Sequence, residues 1–147
     1  MIDGVHQAAA QFIAFWEGFI STARWDVNGY RLGFGSDTEG PEQTKVTRGM
    51  TTTRERALQN LVARVPQFEA VVKRQLGDGV YGGLPSSMKV SFLDLAYNYG
   101  DLPESVVLAT GRGVSAAIAA VEAREGDDHR INAQRRRAEA ALIASGL

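Results

Sequence analysis

Along most of this 147-residue chain apolar residues recur at helical spacing, and they switch to strand spacing in one short stretch. Val5, Ala9, Phe12, Ile13 and Trp16 form one stripe, which predicts a helix over 3–17 with Asp3 as its N-cap. Gly18 stops it, because a glycine follows a helix end at little cost. Residues 22–35 read as a β-hairpin with Asn28-Gly29 at its tip. With that tip Val27 faces Tyr30, Asp26 faces Arg31 and Trp25 faces Leu32. Alternation then places Trp25, Val27, Tyr30 and Leu32 on one face and Asp26 with Arg31 on the other. The segment 36–51, rich in Gly, Thr and charge, reads as loop or short strand.

Thr52 and Glu55 form a capping box that opens a long helix, with Leu58, Leu61, Val62, Val65, Phe68, Val72 and Leu76 at helical spacing. Pro66 should kink that helix or break it in two. After a Gly-rich break at 77–83, residues 86–99 are apolar nearly all round, the pattern of a helix buried at the centre of a helical lobe. Two more amphipathic helices fit 114–124 and about 130–145. The predicted class is α+β, mostly α, in a single domain spanning 1–147. A small lobe with the hairpin (about 1–50) is joined by a long helix to a helical lobe (about 51–147).

Composition narrows the chemistry. Hydrophobic residues make up 44% of the chain, enough for one ordinary core. Sixteen basic against 17 acidic side chains leave a net charge of −1, which gives no general attraction to nucleic acid. Cysteine is absent and histidine occurs only at His6 and His129, so neither a disulfide framework nor a multi-histidine metal site is expected. No secretory signal is readable, and no apolar stretch approaches the roughly 20 residues that span a bilayer. The expectation is a monomer made in the cytoplasm, without cofactor, metal or membrane insertion.

Two acidic residues draw attention. Glu17 stands at a helix end, where the dipole disfavours negative charge, and Asp26 follows nine residues later beside the hairpin tip. Taken singly, each has an ordinary reading: a frayed helix-end charge, and a hairpin residue paired across the strand with Arg31. Taken together, they offer what a glycosidase needs. One carboxyl group protonates the leaving oxygen, and a second stabilises the oxocarbenium ion or activates water.

The stretch "WEGFISTARWD" followed by "GYRLGFG" resembles the phage-type lysozymes, the muramidases of glycoside hydrolase family 24. Their pattern is a Glu-Gly pair, an acidic residue nine positions on, and a strand that carries Thr-Ile-Gly-x-Gly. The resemblance continues through "GMTTTRERALQNLVARV", similar to the interlobe helix, and "LPSSMKVSFLDLAYNYG", similar to the buried central helix. "INAQRRRAEAAL" resembles the C-terminal helix with its arginine run.

The resemblance implies a lysozyme-like two-lobed fold. It also implies cleavage of the β-1,4 bond between N-acetylmuramic acid and N-acetylglucosamine, with the glycan strand of peptidoglycan bound between the lobes. Glu17 matches the general acid and Asp26 the second carboxylate. Asn98 matches the polar residue closing the central helix, with a helix C-cap as its alternative reading. Arg135 matches the arginine that reaches toward the catalytic Glu, whereas Arg136 and Arg137 read as solvated charge. Arg31 stands where the family carries its threonine, and Ser36 where a histidine often follows. Thr38 is then the nearest substitute hydroxyl. Three activities fit this pattern: a muramidase acting on the cell wall after release or export, a lytic transglycosylase on the same fold, and a catalytically weak peptidoglycan-binding protein.

Overall fold

The computed structural model describes residues 4–146, so the expected Asp3 cap lies outside the described residues. The architecture is α+β and mostly helical, and its contacts divide the chain into two compact units, one ending at Pro66 and the other starting at Gln67.

The first unit begins with α1 (Gly4–Glu17), whose Ala9, Ala10 and Ile13 are buried. Two antiparallel strands follow, β1 (Ile20–Asp26) and β2 (Gly29–Gly33), then the short pair β3 (Thr38–Glu39) and β4 (Thr44–Lys45). The hairpin is tied to the segment ahead of α2 by Ala23 N–H donating to the Met50 carbonyl at 2.8 Å and Thr52 N–H to the Ser21 carbonyl at 2.9 Å. Helix α2 (Arg54–Leu76) is unbroken and carries Pro66 in its interior, where the boundary between the units falls. A proline there removes one backbone bond, and the long apolar stripe keeps the segment helical in spite of that loss. The expected capping box is replaced by a single cap one residue later. Arg56 N–H donates to Thr53 Oγ1 at 3.2 Å, while the Thr52 hydroxyl donates to Glu39 Oε1 at 3.2 Å.

In the second unit α2 ends and α3 (Asp78–Gly82), α4 (Ser86–Tyr99), α5 (Glu104–Thr110) and α6 (Val114–Glu122) follow, then a 3₁₀ segment (Ala123–Arg130) and α7 (Ala133–Ser145). Helix α4 is its centre: Met88, Val90, Phe92, Leu93, Leu95 and Ala96 are buried, together with the polar Ser91 and Asp94. It packs on α7, which also packs on α6. The last helix starts at Ala133 rather than near 130, because Asp128, His129 and Arg130 take left-handed φ values of 52°, 55° and 67° and cannot continue a helix. Among the described residues no helix is long and apolar enough to cross a membrane.

The hairpin register differs from the expected one. Asp26 pairs with Gly29, Trp25 with Tyr30 and Arg24 with Arg31, so the tip is Val27-Asn28 and Asp26 does not stand opposite Arg31. This register brings the Trp25 and Tyr30 rings into an edge-to-face contact, 5.3 Å between centroids, that the Asn28-Gly29 tip would forgo. Both strands shift together, so the faces survive: Asp26, Arg24 and Arg31 still share one side. The cost falls on Val27, held at φ 36° while Asn28 N–H donates back to the Asp26 carbonyl in a three-residue turn. A β-branched residue in that region is strained. Val27→Gly should therefore raise the thermal midpoint, by the equivalent of about 1 kcal/mol. A melt with an unchanged or lower midpoint would show that the tip is relaxed as it stands.

Candidate active site

Glu17 is the last residue of α1, and Gly18 turns the chain out of the helix at φ 70°. Its side chain is half-buried. Oε1 lies against Gly35, where an added Cβ would stand 3.3 Å away, and Gly35 itself adopts φ 80°. A side chain at position 35 would be strained and would press on the carboxylate, so this glycine leaves the room that Glu17 occupies. Asp26 closes β1 on the exposed surface of the hairpin. Among the described residues its carboxylate has no ion-pair partner, and the expected pair with Arg31 is not formed. Arg31 instead donates from Nη2 to Asn28 Oδ1 at 3.3 Å and from Nη1 to its neighbour's carbonyl at 3.5 Å. The physical reason is the shifted tip, which sets Arg31 opposite Arg24.

Thr38 opens β3, and its hydroxyl donates to Gln43 Oε1 at 2.7 Å, a bond internal to the loop. Ser36, in the place of the family histidine, is buried and acts as a hub. Its Oγ donates to the Thr38 carbonyl at 2.6 Å and accepts from Arg64 Nη1 at 2.7 Å and Asn60 Nδ2 at 3.3 Å. Asn60 and Arg64 lie one turn apart on α2 and clamp the loop that carries Thr38. They were not singled out from the sequence. The available signal was a polar i, i+4 pair set among apolar helix positions.

In the second unit Asn98 sits one turn beyond Asp94 on α4, half-buried, with no side-chain hydrogen bond among the described residues. The Arg135 guanidinium is 3% exposed and forks onto Asp94: Nε donates to Oδ2 at 2.9 Å and Nη2 to Oδ1 at 2.6 Å. Arg136, expected in solvent, is fully buried beside Glu139. Its Nε lies 2.6 Å from Glu139 Oε1 without being aimed along that line, and the directed bond runs from Nη2 to Oε2 at 3.1 Å. The Arg136 guanidinium also lies over the Tyr99 ring, 4.9 Å from its centre, so packing on α4 replaces the lost water. Arg137 does face solvent, paired with Glu125.

An apolar cavity of about 700 Å³ lies in the first unit, lined by residues including His6, Leu58, Val62 and Pro66. None of the candidate side chains lines it.

Burial, followed by a hydrogen bond and repulsion from Asp94, pushes the Glu139 carboxyl far above the ordinary carboxylate range, against the pull of Arg136 and Arg135. The folded protein thus holds a proton on Glu139 that the unfolded chain releases above about pH 4.5. Its contribution to stability is full below that pH and declines as pH rises. Glu139→Gln, which cannot titrate, should flatten the fall of thermal midpoint between about pH 5 and 9. Equal slopes for both proteins would show that Glu139 is ionised in the fold.

The sequence profile described as phage lysozyme matches residues 14–139, most of the chain and every candidate residue. Among solved structures, an endolysin from Escherichia coli O157:H7 phage FAHEc1 is 19% identical with a TM-score of 0.75, covering 100% of this chain and 95% of that one. A P22 lysozyme mutant is 22% identical with a TM-score of 0.76 and coverages of 92% and 94%. The muramidase domain of SpmX from Asticaccaulis excentricus is 18% identical with a TM-score of 0.67, covering 97% of each chain. No curated protein matches the sequence significantly. A profile matched from α1 to α7, on a fold shared with these structures, identifies the chain as a member of the phage lysozyme family and a glycoside hydrolase of the lysozyme type.

Proposed function

We propose that this glycoside hydrolase cleaves the β-1,4 bond between N-acetylmuramic acid and N-acetylglucosamine in peptidoglycan, with Glu17 as general acid and Asp26 as the second carboxylate. The observation that carries the reading is Glu17 itself. It is a half-buried carboxyl group kept at the unfavourable end of a helix, with Gly35 leaving room for its oxygen. Glu17 gives its proton to the leaving 4-oxygen of N-acetylglucosamine as the glycosidic bond breaks. Asp26, exposed and free of ion pairs among the described residues, faces the positive charge that develops on the muramic acid ring and takes a proton from the attacking water. The glycan strand is the partner, and no cofactor is required for either step.

One observation favours a second reading. The hydroxyls nearest the family threonine's place both donate within the loop, Thr38 to Gln43 and Ser36 to the Thr38 carbonyl. Neither hydroxyl then has a proton left to donate to a water held by Asp26. A lytic transglycosylase needs no water, because the 6-hydroxyl of the muramic acid attacks its own anomeric carbon.

Glu17→Gln keeps the shape of the side chain and loses the transferable proton. The variant should fold as the parent does and solubilise purified sacculi about 10²–10⁴-fold more slowly. Retention of most of the parental rate would remove Glu17 from the acid role. Asp26→Ala should also lose most activity if water is the nucleophile. Full activity in that variant would favour the transglycosylase.

A further inference from the structure

Arg24 and Arg31 stand directly opposite each other across the hairpin, on the face that also carries Asp26. Like charges in that position repel. Neither guanidinium has a carboxylate partner among the described residues, although the chain has as many acidic as basic groups to spare. Arg31 is half-buried and already oriented: it bonds Asn28 Oδ1, and its Nη1 lies 3.3 Å from where a Cβ at Gly29 would stand. Arg24 is exposed. A strand surface with two arginines at opposed positions, one of them held in place by its neighbours, offers an anion two cationic donors. Guanidinium forks match planar carboxylates in particular.

We infer that Arg24 and Arg31 form a clamp for a carboxylate of the acidic stem peptide that hangs from muramic acid. The inference rests on the muramidase reading for its ligand and on the hairpin register for its geometry. Asp26 lies two residues along β1 from Arg24, about 7 Å away. A muramic acid whose anomeric carbon faces Asp26 therefore presents its stem within reach of the pair. An incoming carboxylate turns the Arg24–Arg31 repulsion into two charge-assisted contacts, so a strand bearing stems binds better than a bare one. This gives Arg31 a role in place of the threonine chemistry, as a residue that sets substrate preference.

The test compares binding of two soluble products that the enzyme cannot cut further, N-acetylglucosaminyl-N-acetylmuramic acid with and without its stem peptide. Titration of the intact protein should show the stem-bearing form binding about tenfold or more tightly, a difference that grows weaker as salt is added. Arg24→Ala and Arg31→Ala should each bring the two affinities close together. Arg24→Glu should do the same while leaving the thermal midpoint no lower, since it creates a cross-strand ion pair with Arg31. That result separates a binding role from a structural one. Equal affinities in the parent, or a preference that survives in Arg24→Glu and Arg31→Ala, would overturn the clamp. A preference that depends on both arginines, in a protein that leaves sacculi intact, would sustain the clamp and strike the muramidase reading instead.

Discussion

A carboxylate at the C-terminal end of a helix meets the negative end of the helix dipole, at a cost of roughly 0.3–1 kcal/mol. Glu17 occupies that place in α1, and the surrounding backbone is shaped to keep it there. Gly18 turns sharply out of the helix, so β1 starts within three residues of the carboxyl group. Gly35, at the far end of the hairpin, lies against Oε1 at φ 80°, where a side chain would be strained and its Cβ would stand 3.3 Å from that oxygen. Two glycines with positive φ therefore flank the carboxyl group proposed as proton donor, and the hairpin between them carries Asp26, the proposed second carboxylate. Asp26 is held differently, by a strand end beside a strained turn.

Elsewhere the fold uses buried polar contacts for position rather than for bulk stability. The Asp94–Arg135 fork and the Arg136–Glu139 pair lie between α4 and α7 in the second unit, all four side chains nearly or wholly out of solvent. Burying these arginines and carboxyl groups costs desolvation that their contacts only partly offset, but a mispaired alternative would cost more. Helix α7 can therefore dock on α4 in one register. In the first unit Ser36 serves the same end: Asn60 and Arg64 reach from α2 to its hydroxyl and fix the loop around Thr38. Ser91, whose hydroxyl donates to the Glu139 carbonyl at 2.8 Å, adds a further tie between α4 and α7.

Periodicity made the larger elements legible. The stripe of α1, the long run of α2 and the all-round apolar α4 follow from apolar spacing, and α4 spans 86–99 as expected. Helices α3 and α5 were not anticipated because five and seven residues are too few to show a period. Pro103 followed by Glu104 was a start signal for the second of them. The hairpin was legible but not its register. Asn-Gly is a strong local preference, and the Trp25–Tyr30 contact across the strands prevailed over it. Buried charge was the least legible feature. Arg135-Arg136-Arg137 is a uniform run in the sequence, yet two of its members turn inward and one outward, and only the facing carboxylates on α4 and α7 decide which.

For the candidate site the carboxylates were visible through their spacing and through the family pattern, whereas the partners of Arg31, Ser36 and Thr38 depended on the fold. Those partners bear directly on whether water or the sugar's own hydroxyl completes the reaction. Mass analysis of the fragments released from purified sacculi by the parent protein decides this. With Glu17 as acid and Asp26 holding water, the fragments should end in reducing muramic acid. Fragments lighter by one water, ending in 1,6-anhydromuramic acid, would contradict the hydrolytic assignment.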